Sequence, residues 1–384
     1  MDFSQTEEQR LIRESVRGIA AAFGHDYYAG KAKAGGHTTE LWDEVGRAGF
    51  IGVNLPEAYG GGGMGINELA IVCEELAAQG CPLLLLVVSP AVCGAIITQH
   101  GSEEQKQTWL PGLASGESMM AFAITEPDAG SNSHRIATAA ITDGDDYILR
   151  GTKYYISGVD EAEAMLVVAR YGQEAERGHG KLTLFVVDTD APGLTCTPIP
   201  MELSIPEQQF TLFFDAVRVP GDRLVGGVED GLQPLFTGLN PERITNAAMA
   251  VGLGRYALDK AGRYARERSV WGQPIGSHQG VAHPLATTKI DLELAHLMAQ
   301  KAAWLYDAGQ DAGEAANMAK FAAARASLAA FDQAIQVHGG NAFASEYGLA
   351  DLWGMVRLLR IAPVSQEMVL NYVATHSLAL PRSY

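Results

Sequence analysis

Residues 122–131 read FAITEPDAGS and lie where the character of the chain changes. Before them, apolar residues recur at helical spacing, as between Leu11 and Ile19, so a helical N-terminal domain is predicted for residues 1–120. After them, short runs rich in Val, Ile, Phe, Tyr and Thr alternate with Gly, Pro and Asp clusters as far as residue 236. This second pattern predicts an antiparallel β domain over residues 121–236.

The chain returns to helical character beyond residue 236. Asn240-Pro241 predicts the start of a long helix, because Asn is a favourable N-cap and Pro a favourable first helical residue. We therefore expect an α+β chain whose third domain, residues 237–384, is a C-terminal helix bundle. Ala- and Leu-rich segments with a 3.6-residue period predict its helices, over about 241–268, 284–309, 313–337 and 346–376.

The composition limits the partners. The chain has 28 Lys and Arg against 45 Asp and Glu, a formal net charge of −17. A surface this acidic repels phosphate backbones and anionic lipid, since binding to either needs a basic patch. Nucleic acid is therefore not expected as a partner. With 47% apolar and 19% charged residues, the chain can form the cores of two or three packed units.

Cysteine usage and the first ten residues predict a cytoplasmic protein without a membrane span. No CxxC pair is present, which favours reduced, buried thiols. Residues 1–10 are polar and acidic, unlike a signal or transit peptide. The apolar segment 81–97 contains Pro and Gly and is shorter than the ~20 residues of a membrane helix. The four cysteines are Cys73, Cys81, Cys93 and Cys196.

Several short motifs that would identify other chemistries are missing. The sequence has no GxxxxGK[ST] phosphate loop, no HExxH metal motif and no GxSxG nucleophile elbow. No GxGxxG follows a predicted strand and opens a helix, so a Rossmann nucleotide site has no support. The ten histidines lack a second ligand at metal spacing, and no metal is predicted.

Four longer segments carry the functional information: 122–131, 153–158 (KYYISG), 266–279 (RERSVWGQPIGSHQ) and 336–343 (QVHGGNAF). In this order and at these separations they resemble the acyl-CoA dehydrogenase family. The resemblance covers essentially the whole chain. It implies a flavoenzyme fold of helical, β-barrel-like and helical domains, usually tetrameric, that oxidises an acyl-CoA thioester between its α and β carbons with FAD.

The resemblance assigns the isoalloxazine ring of FAD to the first two segments. Tyr155 would lie against the flavin face and Ser157 would bond its edge. Tyr155 replaces the usual Trp of the family but keeps a flat apolar surface. An ordinary turn and a core strand remain the structural alternatives. The first segment would wrap the ring with main-chain N–H groups and small hydroxyls at Phe122, Ile124, Thr125, Gly130 and Ser131, and Ser131 would also contact substrate.

Two later segments are assigned by the resemblance to the rest of the dinucleotide. Arg268 would meet the FAD diphosphate of a neighbouring subunit, where a fixed fork of donors suits the anion. Because these contacts cross subunits in the family, cofactor binding implies oligomerisation. A solvated arginine and a Gly-Gly helix end are the structural alternatives. The other residues assigned here are Trp271, Gln279, Gln336, Gly339 and Gly340.

The catalytic base implied by the resemblance is Glu242. Most family members carry a glutamate near the C-terminus, but Pro363 occupies that place in the stretch 361–368 (IAPVSQEM). A minority, including the isovaleryl-CoA and long-chain types, place the base at the start of the first helix of the C-terminal domain. There, the stretch 239–243 (LNPER) offers Glu242. A carboxylate that stabilises the helix dipole is its structural alternative.

Neighbouring residues match further positions of the family. Arg243 matches a residue that contacts the CoA portion of the substrate, and Ser365 and Glu367 match positions that contact the flavin. Gln366 and Glu367 become the base positions only if the alignment contains a gap. Gly354 and Met355 replace a charged pair of the family, so altered local packing is expected there.

The predicted function is FAD-dependent dehydrogenation of an acyl-CoA to a trans-2-enoyl-CoA. Glu242 would remove the α-proton, flavin N5 would take the β-hydride, and an electron-transfer flavoprotein would accept the electrons. A homotetramer or a hetero-oligomer is expected. Two alternatives stay open: a flavin-dependent oxidase or monooxygenase on the same fold, and an FAD-poor partner subunit of a hetero-oligomeric dehydrogenase. Acyl-chain length and branching are not specified.

Overall fold

The N-terminal domain is helical, as predicted. The computed structural model describes residues 4–172, 180–228 and 233–382. Ser102 is the N-cap of α6 and forms a reciprocal cap with Gln105. The helices of this domain are α1 (Glu7–Ala34), α2 (Thr39–Arg47), α3 (Ile66–Ala78), α4 (Leu84–Val88), α5 (Ala95–His100) and α6 (Glu103–Ser115).

The central domain is one twisted sheet rather than a purely antiparallel one. Along the sheet the strands run in the order β6-β7-β3-β2-β4-β5-β8, and β1 adds to β4. Most pairings are antiparallel, but β1 and β2 each pair with β4 in parallel, which corrects the antiparallel prediction. The strands are β1 (Met120–Ala123), β2 (Ala139–Asp143), β3 (Asp146–Ser157), β4 (Ala164–Tyr171), β5 (Lys181–Asp188), β6 (Leu194–Ile199), β7 (Gln209–Val219) and β8 (Leu224–Val225).

The C-terminal domain is a helix bundle with a short hairpin between its first two helices. Its helices follow the predicted segments, except that the last predicted one is divided in two around Pro363. The elements are α7 (Gln233–Glu267), β9 (Ser269–Val270), β10 (Gln273–Pro274), α8 (Gln279–Asp307), α9 (Gly313–His338), α10 (Ala350–Leu358) and α11 (Gln366–Tyr372).

Helix α7 begins earlier than Asn240-Pro241 predicted. It extends from Gln233, so Pro241 lies inside the helix and the proposed domain boundary at 236/237 falls in its first turn. A proline within a helix leaves the carbonyl four residues earlier without its N–H donor. Here that carbonyl, on Thr237, accepts a hydrogen bond from the Tyr306 hydroxyl at 3.1 Å. A distant side chain therefore makes the proline tolerable, and the N-cap interpretation of Asn240 is wrong.

Three apolar cores hold the domains together. The largest joins helices of both helical domains, for example Leu69 on α3, Val251 on α7 and Phe331 on α9. The other two cover opposite faces of the sheet, since successive strand residues point to opposite sides. Phe122 packs towards α5 and α6, whereas its neighbour Ala123 belongs to the core on the other face.

The substituted pair Gly354 and Met355 is accommodated by apolar packing. Met355 is buried on α10, and its sulfur accepts a hydrogen bond from the Tyr28 hydroxyl at 3.8 Å. The position that a Cβ would take on Gly354 lies 3.0 Å from Leu203 Cδ2, so the missing side chain leaves space for Leu203. Apolar packing therefore occupies the place of the charged pair, and the expected difference from the packing of relatives stays a prediction.

All four cysteines are free thiols, and Cys73, Cys81 and Cys93 are buried, as expected. Burial raises the pKa of Cys73 and Cys81 to about 12, so these thiols are not nucleophilic at neutral pH. Within residues 4–172, 180–228 and 233–382, no helix has the length and apolarity needed to cross a bilayer.

Candidate active site

The loop after β1 is fixed against β3 by a buried ion pair. Lys153 Nζ donates to Ile124 O at 3.0 Å and to Glu126 Oε1 at 2.8 Å, and the Tyr154 N–H donates to Thr125 O at 2.9 Å. Burial lowers the pKa of Lys153 to about 8. Burial would raise the pKa of Glu126, but the Lys153 ammonium and nearby main-chain amides keep it below its usual value. The sequence analysis missed this anchor, although both residues stand within quoted segments.

This anchor brings together the residues predicted to contact the flavin ring. Thr125 lies beside the backbone of Tyr154, which precedes the exposed Tyr155, and Ser157 is two residues further along β3. Tyr155 is 49% exposed and has a φ of 57°, at a bulge in the pairing of β3 with β7. A non-glycine residue in this region costs about 1–3 kcal/mol, and such strain clusters at ligand sites.

The remaining members of the first segment differ in exposure. The Phe122 side chain is buried in the core and so is unavailable to a ligand. Ile124 and Thr125 are partly buried, whereas Gly130 and Ser131 are exposed. A Cβ on Gly130 would meet no heavy atom within 4 Å, so its main chain is open to a ligand.

The hairpin between α7 and α8 carries the predicted diphosphate residues. The main chain of Arg268 closes this hairpin, because its N–H donates to Tyr264 O and its carbonyl accepts from the Ile275 N–H, both at 2.8 Å. Its side chain is exposed, as is that of Gln279, the first residue of α8. Trp271 is 88% exposed with a φ of 54°.

The end of α9 lies beside this hairpin. The rings of Tyr264 and His338 stack with centroids 4.2 Å apart, and Asn341 Nδ2 donates to the Tyr264 hydroxyl at 3.1 Å. Gln336, Gly339 and Gly340 are all exposed next to this stack. The structure therefore brings the two later segments to one end of the bundle.

Glu242 lies about two and a half turns into α7, at 3.6 residues per turn. It is partly buried, and burial raises the pKa of its carboxyl to about 7 against the opposing charges of Arg243 and Lys320. The described residues place no hydrogen-bond donor on this carboxylate. Because Glu242 is far from the helix N-terminus, the helix-dipole alternative does not apply.

Two cations flank Glu242. Lys320 on α9 is only 1% exposed, its ammonium donates to Val364 O, and burial lowers its pKa to about 8. Arg243 Nη1 donates to Asn240 Oδ1 at 3.2 Å, while its buried Nε has no partner among the described residues. Lys320 thus connects the segment around Pro363 with the surroundings of Glu242. Lys320 was not predicted from the sequence, where it is one of four charged residues on the Ala-rich helix α9.

The C-terminal positions Ser365 and Glu367 have surroundings unlike those of Glu242. Ser365 caps α11 by accepting from the Met368 N–H at 3.3 Å. Glu367 is exposed, and its Oε1 accepts from Gln366 Nε2 at 2.6 Å. This hydrogen bond lowers the pKa of Glu367, so it stays ionised and is a weak base at neutral pH.

Among the described residues, two of the cavities lie away from Glu242. The larger, of 710 Å³, is an apolar groove between α8, α9 and α11 with Leu294, Phe321 and Val369 in its walls. The smaller, of 330 Å³, lies between the start of α3 and the end of α8, beside Tyr306 and Asp307. Glu242 lines neither of them.

Comparison with known families accounts for all three domains. The N-terminal, middle and C-terminal domain models of the acyl-CoA dehydrogenase family match residues 6–117, 121–217 and 229–378. The chain belongs to the acyl-CoA dehydrogenase family. It is therefore an oxidoreductase that acts on CH–CH groups, and its cofactor is FAD.

Relatives of this acyl-CoA dehydrogenase match it over nearly its whole length. The acyl-CoA dehydrogenase FadE12 of Mycobacterium tuberculosis (strain ATCC 25618 / H37Rv) is 58% identical over 384 residues, 100% of this chain and 99% of the relative. A solved glutaryl-coenzyme A dehydrogenase in complex with glutaryl-CoA is 30% identical with a TM-score of 0.94, covering 100% and 98% of the two chains. A Mycobacterium smegmatis glutaryl-CoA dehydrogenase in complex with FADH2 is 26% identical with a TM-score of 0.92, covering 99% and 97%.

The residues of this acyl-CoA dehydrogenase fit FAD in their chemistry. The predicted ring site offers small hydroxyls, an open glycine backbone and an exposed aromatic ring, which suit a flat heterocycle with several nitrogen and oxygen atoms. The predicted diphosphate site offers the exposed Arg268 guanidinium, a donor matched to phosphate oxygens.

Proposed function

We propose that this protein dehydrogenates an acyl-CoA thioester to a trans-2-enoyl-CoA with Glu242 as the catalytic base. The observation that carries the proposal is the environment of Glu242. Its carboxyl is partly buried and has a pKa of about 7, while Pro363 stands where most family members carry their base. A proline cannot accept a proton, and Glu367 has a lowered pKa.

A carboxylate with a pKa of about 7 suits proton abstraction at neutral pH. A base is most effective when its pKa is near the working pH, because enough of it is ionised and it still holds a proton strongly. Burial supplies the proton affinity of Glu242, and the nearby Arg243 and Lys320 limit the rise. Glu242 would take the α-proton of the thioester and keep it on its carboxyl oxygen.

The cofactor residues divide between two places. Thr125, Ser131, Tyr155 and Ser157 would hold the isoalloxazine ring, while Arg268 would hold the diphosphate of a neighbouring subunit. When bound, FAD accepts the hydride that leaves the β-carbon. The other dinucleotide contacts would come from Phe122 (main chain), Ile124, Gly130, Trp271, Gln279, Gln336, Gly339, Gly340, Ser365 and Glu367, and Arg243 would bind the CoA portion together with Ser131.

We further propose a homotetramer that passes electrons to an electron-transfer flavoprotein. Exposed apolar residues on α8, namely Ile290, Leu294 and Leu297, lie beside the 710 Å³ groove and support self-association. The assignment of Arg268 to a neighbouring subunit needs such an assembly. The free thiols support the predicted cytoplasmic location.

The test is anaerobic bleaching of the bound flavin by acyl-CoA thioesters of short, medium, long and branched chains. At least one of them should bleach the wild-type flavin. Glu242→Gln should retain FAD and lose about 10²–10⁴-fold in bleaching rate, the usual range for a general base. Glu14→Gln, which makes the same chemical change at an exposed residue of α1, is the matched control and should bleach at nearly the wild-type rate.

The outcomes separate the alternatives. Unimpaired bleaching by Glu242→Gln would remove this residue from the mechanism. A protein that binds FAD and is bleached by no acyl-CoA, but whose reduced flavin reacts quickly with oxygen, would favour the oxidase or monooxygenase. A protein purified without flavin would favour the FAD-poor partner subunit.

A further inference from the structure

A cross-strand hydrogen bond holds the hydroxyl of Ser157. Ser157 on β3 and Gln209 on β7 are direct partners in the sheet, and Ser157 Oγ lies 3.0 Å from Gln209 Oε1. Gln209 is 7% exposed, so water competes little for its amide. Gln209, unlike Ser157, is not among the residues that the family resemblance assigns to FAD.

The neighbours of Gln209 decide which way its amide faces. An amide can be turned by 180°, and its hydrogen-bond partners determine which orientation is correct. Gln209 Nε2 lies 3.4 Å from the main-chain carbonyl oxygen of Glu207, which can only accept. In the structure the amino group accordingly faces Glu207, and the amide oxygen faces Ser157.

This orientation fixes the direction of the serine hydrogen bond. An amide oxygen only accepts, so the Ser157 hydroxyl has to donate its single hydrogen to Gln209. Only the lone pairs of Ser157 Oγ then remain for another partner. Ser157 is therefore presented to a ligand as an acceptor, which pairs with an N–H group.

The surrounding backbone keeps the Gln209 amide from flipping and so from reversing its hydrogen bond with Ser157. Glu207 is buried, and its Oε1 accepts from the Leu84 N–H at 2.9 Å, at the first residue of α4. The Gly158 N–H donates to Gln208 O at 2.9 Å and holds the end of β3 against the start of β7. The Glu207 carbonyl that orients Gln209 is thus held in place by the Leu84 contact to the Glu207 side chain and by the Gly158 contact to the next residue.

We propose that Gln209 is a positioning residue that makes Ser157 an acceptor for the N5–H of reduced FAD. N5 of a flavin carries a hydrogen only in the reduced form, so an acceptor at this place stabilises the reduced form over the oxidised one. Gln209 thereby raises the reduction potential of the bound flavin. The inference rests on the proposed placement of Ser157 at the flavin edge.

The test is the midpoint potential of FAD bound to wild type, Ser157→Ala, Gln209→Met and the double variant, measured by equilibration with a redox dye without substrate. Each single variant should favour oxidised over reduced FAD by about tenfold, a fall of about 30 mV for a two-electron couple. The double variant should fall no further than Ser157→Ala, since Gln209 acts through Ser157. Gln208→Met makes the same chemical change one residue earlier and should leave the potential unchanged.

The outcomes are distinct from those that test the proposed function. If Gln209→Met unfolds, Gln209→Ser is used instead, because it is too short to reach Ser157 and leaves space for water. A Gln209 variant with bound FAD and an unchanged or raised potential overturns this inference, whether or not acyl-CoA bleaches the flavin. A fall in the double variant equal to the sum of the two single falls also overturns it. A wild-type protein that binds no FAD overturns both this inference and the proposed function.

Discussion

Glu74 and Glu242 are two glutamates that lie among the helices, and their pKa values are shifted in opposite directions from the usual value. Glu74 on α3 accepts from Arg13 at 3.1 Å, from His296 Nδ1 at 3.0 Å and from Arg255. Although burial alone would raise it, these three partners lower the pKa of Glu74 to about 2. Burial raises the pKa of Glu242 to about 7, because its neighbouring cations do not form hydrogen bonds to it within the described residues.

Burial by itself therefore does not identify a catalytic carboxylate. A buried carboxylate with several donors is a permanently ionised part of the framework, and removing it leaves buried cations without a partner. A buried carboxylate that lacks donors exchanges protons near neutral pH and can serve as a base. Glu74 belongs to the first kind and Glu242 to the second.

The largest effect on stability is expected at Glu74. Glu74→Gln removes the charge that Arg13, Arg255 and His296 share, and breaking a buried ion pair in this way costs about 3–5 kcal/mol in the free energy of unfolding. Denaturant unfolding of the FAD-loaded protein measures this change. A loss below ~1 kcal/mol would show that the cluster is not a structural anchor.

The acid dependence of stability should identify the same cluster. The pKa of Glu74 is about 2 in the folded protein and below its unfolded value, so its stabilisation is present above the unfolded pKa. That stabilisation is lost as the pH falls towards 2. Unfolding of Glu74→Gln should therefore depend less on pH in this acidic range than unfolding of the wild type.

A smaller effect, of the opposite sign, is expected at Glu242. Its folded pKa is above the unfolded value, so ionising it becomes a cost to the folded state as the pH rises from the unfolded pKa through about 7. Glu242→Gln removes that cost and should be as stable as the wild type below this window and more stable at pH 7. Denaturant midpoints across the pH range measure the difference. A Glu242→Gln protein less stable at pH 7 would show that the carboxylate is a framework residue.

A substitution of Lys320 changes the pKa of Glu242 while the glutamate itself is kept. The Lys320 ammonium opposes the rise in the pKa of Glu242, so Lys320→Met should move the pH profile of flavin reduction by acyl-CoA to higher pH. The rate at pH 7 should fall several-fold, and a higher pH should restore part of it. Stopped-flow absorbance gives the profile. The groups that face this pair are Arg243, Cys93, Arg360 and Glu367, and they remain in place in the variant.

The smallest effect is expected for an exposed lysine used as a control. Lys289 on α8 pairs with Glu293 four residues along the same helix, in solvent. Lys289→Met should change the free energy of unfolding by less than about 0.5 kcal/mol and leave the pH profile unmoved. A shift of the profile as large as that of Lys320→Met would mean that long-range charge, rather than the position of Lys320, controls Glu242.

The arrangement of domains was predictable from the sequence because it depends on local periodicity. The caps at Thr6 and Ser102 and the period of the long C-terminal helices are properties of neighbouring residues. The start of α7 was not predictable in this way. Its continuation through Pro241 depends on the Tyr306 hydroxyl, which satisfies the carbonyl of Thr237 from another helix.

In the candidate site, too, some features were predictable from the sequence and others depend on contacts between distant residues. Glu242 was predicted as the base from the resemblance, because Pro363 occupies the more common place for the base. Gln209 could not be paired with Ser157 from the sequence, because the register of β3 against β7 contains two shifts. Lys153 could not be paired with Glu126, because Glu126 lies in the irregular loop after β1, whose path over β3 no local pattern predicts. Lys320 was not predicted because its role arises from where α9 packs against the segment around Val364.

The most direct test of Glu242 is its ability to remove the α-proton when no hydride can leave. An acyl-CoA analogue with oxygen in place of the β-carbon is incubated with the FAD-loaded protein in deuterated water, and mass spectrometry follows deuterium at the α-carbon. The wild type and the control Glu14→Gln should exchange this hydrogen, with a rate that rises as the pH passes about 7, and Glu242→Gln should not. Exchange by Glu242→Gln at the wild-type rate would contradict the assignment of Glu242 as the base.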